Sequence, residues 1–397
     1  MIETIGTYLP VWGSGSSRVA GDDEDVVTMA VAAGLRALDS STVADVSSVV
    51  LVSRDLPVLV PGSGAALLAG LSLPAGTDVR EQVGGGPAAL EAVASAPSRT
   101  LVIGADVVGG SGAAAVLTGG TGAAVKVVAR INRSLPVYTR DAAGRVSDYA
   151  DPRLLRELGV KESLVQAGVA GGVDAAAGMA DRDAAYLAEG GRALPQIPTR
   201  GASAALFALA AVCSGRQPGR VLAVEQATVS LAEVDSTVVR VSRDERPAMP
   251  PVRLGEPSEA DISISLAAYE RAFDAKLWLE ADRCVECGTL AYPHRFRCIS
   301  CGAEGQTETV PLPRDAEVYS LATIHVPVPG LATPYTVVLV DLGDSGVRLL
   351  GRLTGAPPGR VGIGDKGRMV LRRVAIRTGV PDYGYAFLPT VDEEVAA

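Results

Sequence analysis

The sequence predicts a layered α/β domain followed by a zinc ribbon and a small β-barrel. Three observations carry this expectation: helix-period and strand-like segments alternate over residues 1–245, two Cys-x2-Cys pairs follow at Cys284/Cys287 and Cys298/Cys301, and short strands with Gly/Pro turns fill the remainder. With 397 residues, 48% of them hydrophobic, the chain can bury at least one large core, and its length suggests two or three domains. Glycine is abundant (45) and aromatics make up only 4%, which favours tightly packed layers over an aromatic-rich binding surface.

In chain order, Ile2–Leu9 reads as a strand closed by Pro10. Asp22-Asp23-Glu24-Asp25 places acid at the start of a helix running to about Leu38, where carboxylates favour the N-terminal dipole. Val49–Val52 is a short buried strand, Pro87–Ala96 a helix of small residues, and Thr100–Ile103, Ala113–Leu117 and Ala123–Val128 are strands. A second pass, matching the first only loosely, starts near Leu135. It has helices at Pro152–Leu158, Asp181–Leu187 and Gly201–Val212 and strands at Arg220–Val224 and Thr237–Val241. Two related halves, about 1–130 and 131–245, are therefore expected, although no sequence repeat is visible.

Residues 246–260 read as an exposed linker, because prolines 247, 250, 251 and 257 stand among charged residues. The second part is expected to comprise a helix over Asp261–Leu279 with the cysteine cluster (261–310), then a barrel (311–397). The barrel strands are read at Glu317–His325, Tyr335–Leu342, Val347–Leu353 and Arg368–Ile376.

A net charge of −9 repels polyanions, so nonspecific nucleic-acid binding and membrane-surface binding have no electrostatic footing. No stretch approaches 18 apolar residues, and Met1-Ile2-Glu3-Thr4 lacks a basic n-region, so a cytoplasmic protein is expected. Four of the five cysteines lie in the two pairs, which fits a metal site in a reducing compartment better than a disulfide framework. The fifth, Cys213, ends the apolar run Ala204–Val212 and reads as a small core residue.

Cys284, Cys287, Cys298 and Cys301 have the spacing of a tetrahedral tetrathiolate zinc site, with Gly288 and Gly302 where each knuckle needs positive φ. All four positions are filled, so the expected zinc is structural. His294 lies between the pairs and reads as a loop residue. A ribbon plus barrel is also a nucleic-acid architecture, but residues 261–397 carry more acidic than basic side chains. One basic strand, with Lys366, Arg368, Arg372, Arg373 and Arg377, is read either as a solvated edge or as a contact for the phosphates of a carrier such as coenzyme A.

Arg283-Cys-Val-Glu-Cys-Gly, Tyr292-Pro-His-Arg-Phe-Arg-Cys-Ile-Ser-Cys-Gly, Val318-Tyr-Ser-Leu-Ala-Thr and Gly351-Arg-Leu, preceded by a helix with Tyr269 and Trp278, resemble the zinc-ribbon/OB-fold proteins that accompany thiolases and HMG-CoA synthases. The resemblance covers about 260–390. It implies an OB-fold barrel and an acyl-CoA-associated subunit that bridges or completes a thiolase-type enzyme.

Residues 1–245 resemble the thiolase superfamily, nearest its HMG-CoA synthase and ketoacyl synthase III branch. The carriers are Ile5-Gly-Thr-Tyr-Leu-Pro10, Asp23-Glu-Asp-Val-Val-Thr-Met-Ala30, Gly84-Gly-Gly-Pro-Ala-Ala-Leu90, Gly104-Ala-Asp106 and Gly112-Ala-Ala-Ala-Val116. The resemblance implies a shortened, degenerate α-β-α-β-α thiolase-like domain. Enzymes of that superfamily attack a thioester with a cysteine at a helix N-terminus. In Glu81-Gln-Val-Gly-Gly-Gly-Pro87 that place belongs to Val83. The family's histidine has no candidate, Thr199 stands for its asparagine, and its glutamate base would fall near Arg54-Asp55.

Two readings follow. In the first, the chain is a non-catalytic or accessory subunit of a thiolase-type carbon–carbon bond forming or cleaving complex. Its expected partners are a second copy, an active thiolase or ketosynthase-type subunit, and an acyl-CoA or acyl-carrier protein. In the second, it is itself an enzyme of aldol, retro-aldol or acyl-transfer chemistry without an acyl-cysteine, with Tyr138, Asp148, Tyr149 and Glu225 as candidate catalytic groups. The substrate-binding candidates are Val83, Gly84, Gly85, Gly86, Lys366, Arg368 and Arg372. The glycines read either as amides aimed at an oxyanion or phosphate or as tight packing.

Overall fold

The computed structural model describes residues 1–390 apart from 44, 142, 167–171, 181–183, 185, 186, 188–192, 216, 253, 255–262, 264 and 327–330. Most of the expected helix Asp181–Leu187, much of the linker 246–260 and the start of the helix Asp261–Leu279 lie outside the described residues. Two compact units are present: Met1–Ala20, Asp25–Leu67 and Leu73–Pro250 form the first, and Gly21–Glu24, Leu68–Ser72 and Pro251–Ala397 the second.

The first unit is built on two mixed sheets. Its elements are β1 (Ile2–Leu9), β2 (Trp12–Ser14), β3 (Ser17–Val19), α1 (Val26–Asp39), β4 (Ser48–Ser53), α2 (Gly64–Leu71), β5 (Asp78–Val83), α3 (Gly86–Ser95), β6 (Thr100–Asp106), β7 (Gly112–Thr118) and β8 (Val125–Ile131). A small hairpin follows, β9 (Tyr138–Arg140) with β10 (Val146–Asp148), then helical turns from Pro152 to Gln166 and β11 (Ala175–Ala177). The unit ends with α4 (Ala202–Ser214), β12 (Gly219–Glu225), β13 (Thr228–Val234) and β14 (Arg240–Glu245).

The sheets are ordered β14-β1-β7-β6-β4-β5 and β11-β12-β13-β8. In the first, β1–β7 and β7–β6 are antiparallel and β6–β4 parallel. In the second, β8–β13 and β13–β12 are antiparallel and β12–β11 parallel. The same topology therefore occurs twice, and the repeat invisible in the residues is explicit in the strand order. Local sequence supports the elements. At α1, Asp25 accepts from the Thr28 amide (3.0 Å) while its own amide donates to Thr28 Oγ1 (2.8 Å), a reciprocal cap that stabilises the helix by about 1 kcal/mol.

Helices α3 and α4 occupy corresponding places in the two halves and pack together in the middle. Alanines 202, 204, 205, 208 and 210 are fully buried there with Leu206 and Leu209, in one core cluster with residues of both sheets. Small side chains let the layers approach closely. A Cβ on Gly104 of β6 would lie 2.8 Å from the Ala202 carbonyl.

In the second unit, α5 (Leu266–Asp274) leads through a wider helical turn to the ribbon strands β15 (Glu280–Cys284), β16 (Leu290–Ala291) and β17 (Thr307–Pro311). A five-stranded antiparallel sheet follows in the order β20-β19-β18-β21-β22. Its members are β18 (Asp315–Ile324), β19 (Tyr335–Leu342), β20 (Arg348–Arg352), β21 (Lys366–Arg377) and β22 (Val380–Pro389). Strand β19 alternates half-buried and buried residues over its whole length, as one face turned to a core requires. The sequence reading had no counterpart for α2, β5, the hairpin, β11, β13 or β22.

Candidate functional site

The ends of β4, β6 and β12 and the starts of α3 and α4 meet in the first unit. Strand β5 pairs with β4 so that Val83 stands opposite Ser53, and Val83 is 70% exposed. The next amide, Gly84 N, donates to Ser53 O (3.2 Å). Gly85 is the N-cap of α3 and has no side chain to cap with, so its amide donates to Glu225 Oε2 at 3.2 Å. A Cβ on Gly85 would lie 2.6 Å from Glu225 Oε1, so glycine is what admits the carboxylate. Gly86 serves packing, since its Cβ position lies 3.4 Å from Gly201 O and 3.5 Å from Ala223 Cβ. The packing reading of the glycine run thus describes Gly86, whereas the Gly85 amide meets the chain's own Glu225 carboxylate rather than an oxyanion or phosphate of a ligand.

Arg54, just beyond β4, completes the cluster. Its guanidinium lies 3.5 Å from Glu225 Oε1 and 4.8 Å from the centre of the Tyr138 ring. With 15% and 22% side-chain exposure, Arg54 and Glu225 form a partly shielded pair. Burial raises the Tyr138 pKa, Arg54 opposes the rise, and Asp148, opposite Tyr138 in the hairpin, adds to it. The phenol is therefore held in its protonated form, a hydrogen-bond donor rather than a base. Asp148 is exposed and accepts the Ala150 amide (2.8 Å). Tyr149 is 55% exposed and joins the cluster only through its carbonyl, which accepts from Gln226 Nε2 (3.0 Å).

Three members were not singled out from the sequence. Arg54 was noted only as the place where a glutamate base was missing. Asp106, at the end of β6, accepts from the Ala202 and Ser203 amides (2.8 Å each) and the Ser203 hydroxyl (2.5 Å), which caps α4. Burial raises its pKa to about 6 against these donors and Arg54. Gln226 fastens the hairpin base. A usable signal existed for Asp106, an acidic residue ending an apolar strand. Thr199 bonds Ser203 Oγ (2.7 Å) in the buried interior.

In the second unit the four cysteine sulfurs lie within 4.8 Å of one another, with Cys284–Cys301 and Cys287–Cys298 at 3.6 Å. Zn–S bonds of about 2.3 Å set tetrahedral S–S edges near 3.8 Å, so the sulfurs fit one ion. Each knuckle is closed by a glycine amide, Gly288 on Cys284 O (2.8 Å) and Gly302 on Cys298 O (3.2 Å), at φ of +73° and +77°. His294 bonds Asp282 through Nδ1 (2.8 Å), not the sulfurs.

The basic strand is not one continuous cationic surface. Lys366 is exposed, opposite Glu317 in the register, and Arg368 is half-buried opposite Asp315. Arg372 is 2% exposed, bonds Thr354 Oγ1 (3.1 Å) and pairs with Glu24 (3.3 Å), which belongs to the same compact unit. Arg377 bonds Asp382 (2.9 Å). A buried and paired guanidinium cannot reach a carrier phosphate without leaving its carboxylate uncompensated. Cys213 is a core residue whose pKa burial pushes up to about 12.

Residues 309–372 match the family model described as the C-terminal OB-fold domain of ChsH2. A DUF35 domain-containing scaffold protein of Methanothermobacter thermautotrophicus is 30% identical over 115 residues, 28% of this chain and 86% of the relative. The benzoylsuccinyl-CoA thiolase subunit BbsA of Thauera aromatica is 34% identical over 111 residues, 28% of this chain and 75% of the relative. Among solved structures, the 3-oxoacyl-(acyl carrier protein) synthase III of Pseudomonas aeruginosa covers 60% of this chain and 98% of its own, at 17% identity and a TM-score of 0.46. No helix among the described residues is long and apolar enough to cross a membrane.

Proposed function

Since the chain belongs, through 28% of its length, to the family of DUF35 domain-containing proteins, we propose that it is an accessory, scaffold-type subunit of a thiolase-type acyl-CoA complex. Its own first unit forms no acyl-enzyme. The observation that carries this reading is the occupant of the α3 N-terminus. Where a cysteine enzyme would use the helix dipole to stabilise a thiolate, this chain has the exposed aliphatic side chain of Val83 and aims the Gly85 amide at Glu225. The attraction of that terminus for anions is already satisfied, and Arg54 balances the charge.

The relatives support the assembly part of the reading, one being named a scaffold and another a thiolase subunit. The proposed complex contains an active thiolase or ketosynthase-type chain, with or without a second copy of this one, and works on acyl-CoA or acyl-carrier substrates. One zinc ion would hold the ribbon through Cys284, Cys287, Cys298 and Cys301. Lys366 and Arg368 are the residues of the basic strand proposed to meet a carrier phosphate. The experiment is light scattering of the full chain with and without a thiolase-type subunit, together with intact-mass analysis after incubation with acyl-CoA. A mixed complex and an unmodified mass are expected. A stable monomer under both conditions, or a covalently acylated chain, overturns the reading.

A second reading has one observation in its favour. Tyr138, a phenol held protonated above the Arg54 guanidinium, is suited to donating a hydrogen bond to an enolate oxygen in a non-covalent retro-aldol cleavage. Glu225 and Asp148 are candidates for the base that such a step needs, and Glu225 is tied to Arg54 and Gly85. Cleavage of any β-hydroxyacyl-CoA by the isolated chain would favour this reading.

A further inference from the structure

Gln226 stands with Ala227 in the tight turn between β12 and β13, at φ +51°, a left-handed conformation that is strained for a non-glycine residue. Its side chain is buried and fully used. Nε2 donates to Pro136 O and Tyr149 O (3.0 Å each), and Oε1 accepts the Asp151 amide (2.9 Å). Those groups flank the β9–β10 hairpin on both sides, so one amide grips both of its ends.

The hairpin is otherwise self-contained. Its strands pair only with each other, the Tyr149 amide closes its base on Val137 O (2.7 Å), and Asp141 holds its tip by accepting the Ala143 and Arg145 amides (2.9 Å each). It reaches into the site through the Tyr138 ring, which lies over Arg54. A piece that is closed on itself, tied at its base among the described residues by the Gln226 side chain and resting its Tyr138 ring on Arg54 has the construction of a lid.

We infer that the hairpin strands Tyr138–Arg140 and Val146–Asp148 form a lid over the Arg54–Glu225 pair and that the Gln226 amide is its latch. The turn that carries the latch also carries Glu225, so release of the hairpin and exposure of the pair are linked through adjacent residues. The inference does not depend on whether the pocket is catalytic, because it concerns access to Arg54 alone.

The test uses the full chain and two variants. Gln226→Gly removes the amide and relieves the left-handed turn, so the fold is retained. Gln226→Glu keeps the acceptor for Asp151 and loses both donors. Hydrogen exchange over residues 137–149 and the rate of phenylglyoxal modification of Arg54, mapped by mass spectrometry, are both expected to rise about tenfold in each variant. Faster hairpin exchange with unchanged Arg54 modification overturns the lid, and unchanged hairpin exchange overturns the latch.

Discussion

Asp106 and Glu225 end corresponding strands of the two halves, and each carboxylate is bonded at the start of the other half's central helix, Asp106 to two amides of α4 and Glu225 to the Gly85 amide that caps α3. The arrangement is reciprocal in geometry and unequal in exposure. Asp106 is 1% exposed and also bonds a serine hydroxyl, whereas Glu225 is half-buried and shares its charge with Arg54.

The Glu225 side of the pair governs what a thiol would do at Val83. Val83→Cys alone is expected to stay unacylated by acyl-CoA and to react slowly with iodoacetamide, because Glu225 already occupies the Gly85 amide at the α3 N-terminus. In Val83→Cys/Glu225→Gln that carboxylate is gone and the helix terminus is free to stabilise the thiolate. Alkylation near neutral pH should then be about tenfold faster. Equal rates in the two variants would show that Glu225 does not control this place.

The Asp106 side makes a pH-dependent contribution to stability. Burial lifts its pKa from the usual carboxylate range to about 6, so the folded chain binds this proton more tightly than the unfolded chain. The group's contribution is therefore fully present below about pH 4 and is lost as the pH rises through 6, by about 3 kcal/mol at most. Urea unfolding followed by Trp12 fluorescence in a Trp278→Phe background should show the stability difference between wild type and Asp106→Asn shrinking from pH 4 to pH 7. Parallel curves would remove Asp106 from the account.

For Arg372 the expected outcome is structural. Its partner Glu24 is 4% exposed at the side chain, so Arg372→Met removes the guanidinium paired with a buried carboxylate and should destabilise the second unit by about 3–5 kcal/mol. Trp278 fluorescence in a Trp12→Phe background reads this. Loss of acyl-CoA binding with unchanged stability would return Arg372 to a ligand-contact role.

The ribbon should depend on its metal. One equivalent of zinc per chain is expected by elemental analysis, and strong chelators or Cys287→Ser should unfold residues 280–311 as detected by hydrogen exchange. Retention of the ribbon's protection after metal removal would contradict a folding role for the ion.

The parts legible in the sequence were those written in local rules. The cysteine spacing with Gly288 and Gly302 gave the ribbon, the acidic run Asp22-Asp23-Glu24-Asp25 marked the start of α1, and the apolar run Ala204–Val212 gave α4. The functional cluster was legible only in part. Glu225 and Tyr138 were singled out, but their association depends on Arg54, which is separated from them by 171 and 84 positions respectively in the chain, and spacing does not encode such contacts. The basic strand misled for a related reason: charge along β21 reads as a surface, but whether Arg372 faces solvent is decided by pairing with Glu24, which no periodicity reports. Strand β5 and the short β11 were missed because their residues carry no strong alternation.

The shared middle layer sets how the first unit comes apart. Gly104 lies against Ala202 and Gly86 against Gly201, and the inner faces of both sheets close on this one layer, while Val160, Leu222, Val224 and Leu231 belong to a separate cluster within the second half. A piece cut between β7 and β8 would expose one flank of α3 or α4 to water. The halves, for all their topological kinship, are thus a single cooperative element, gained and lost together.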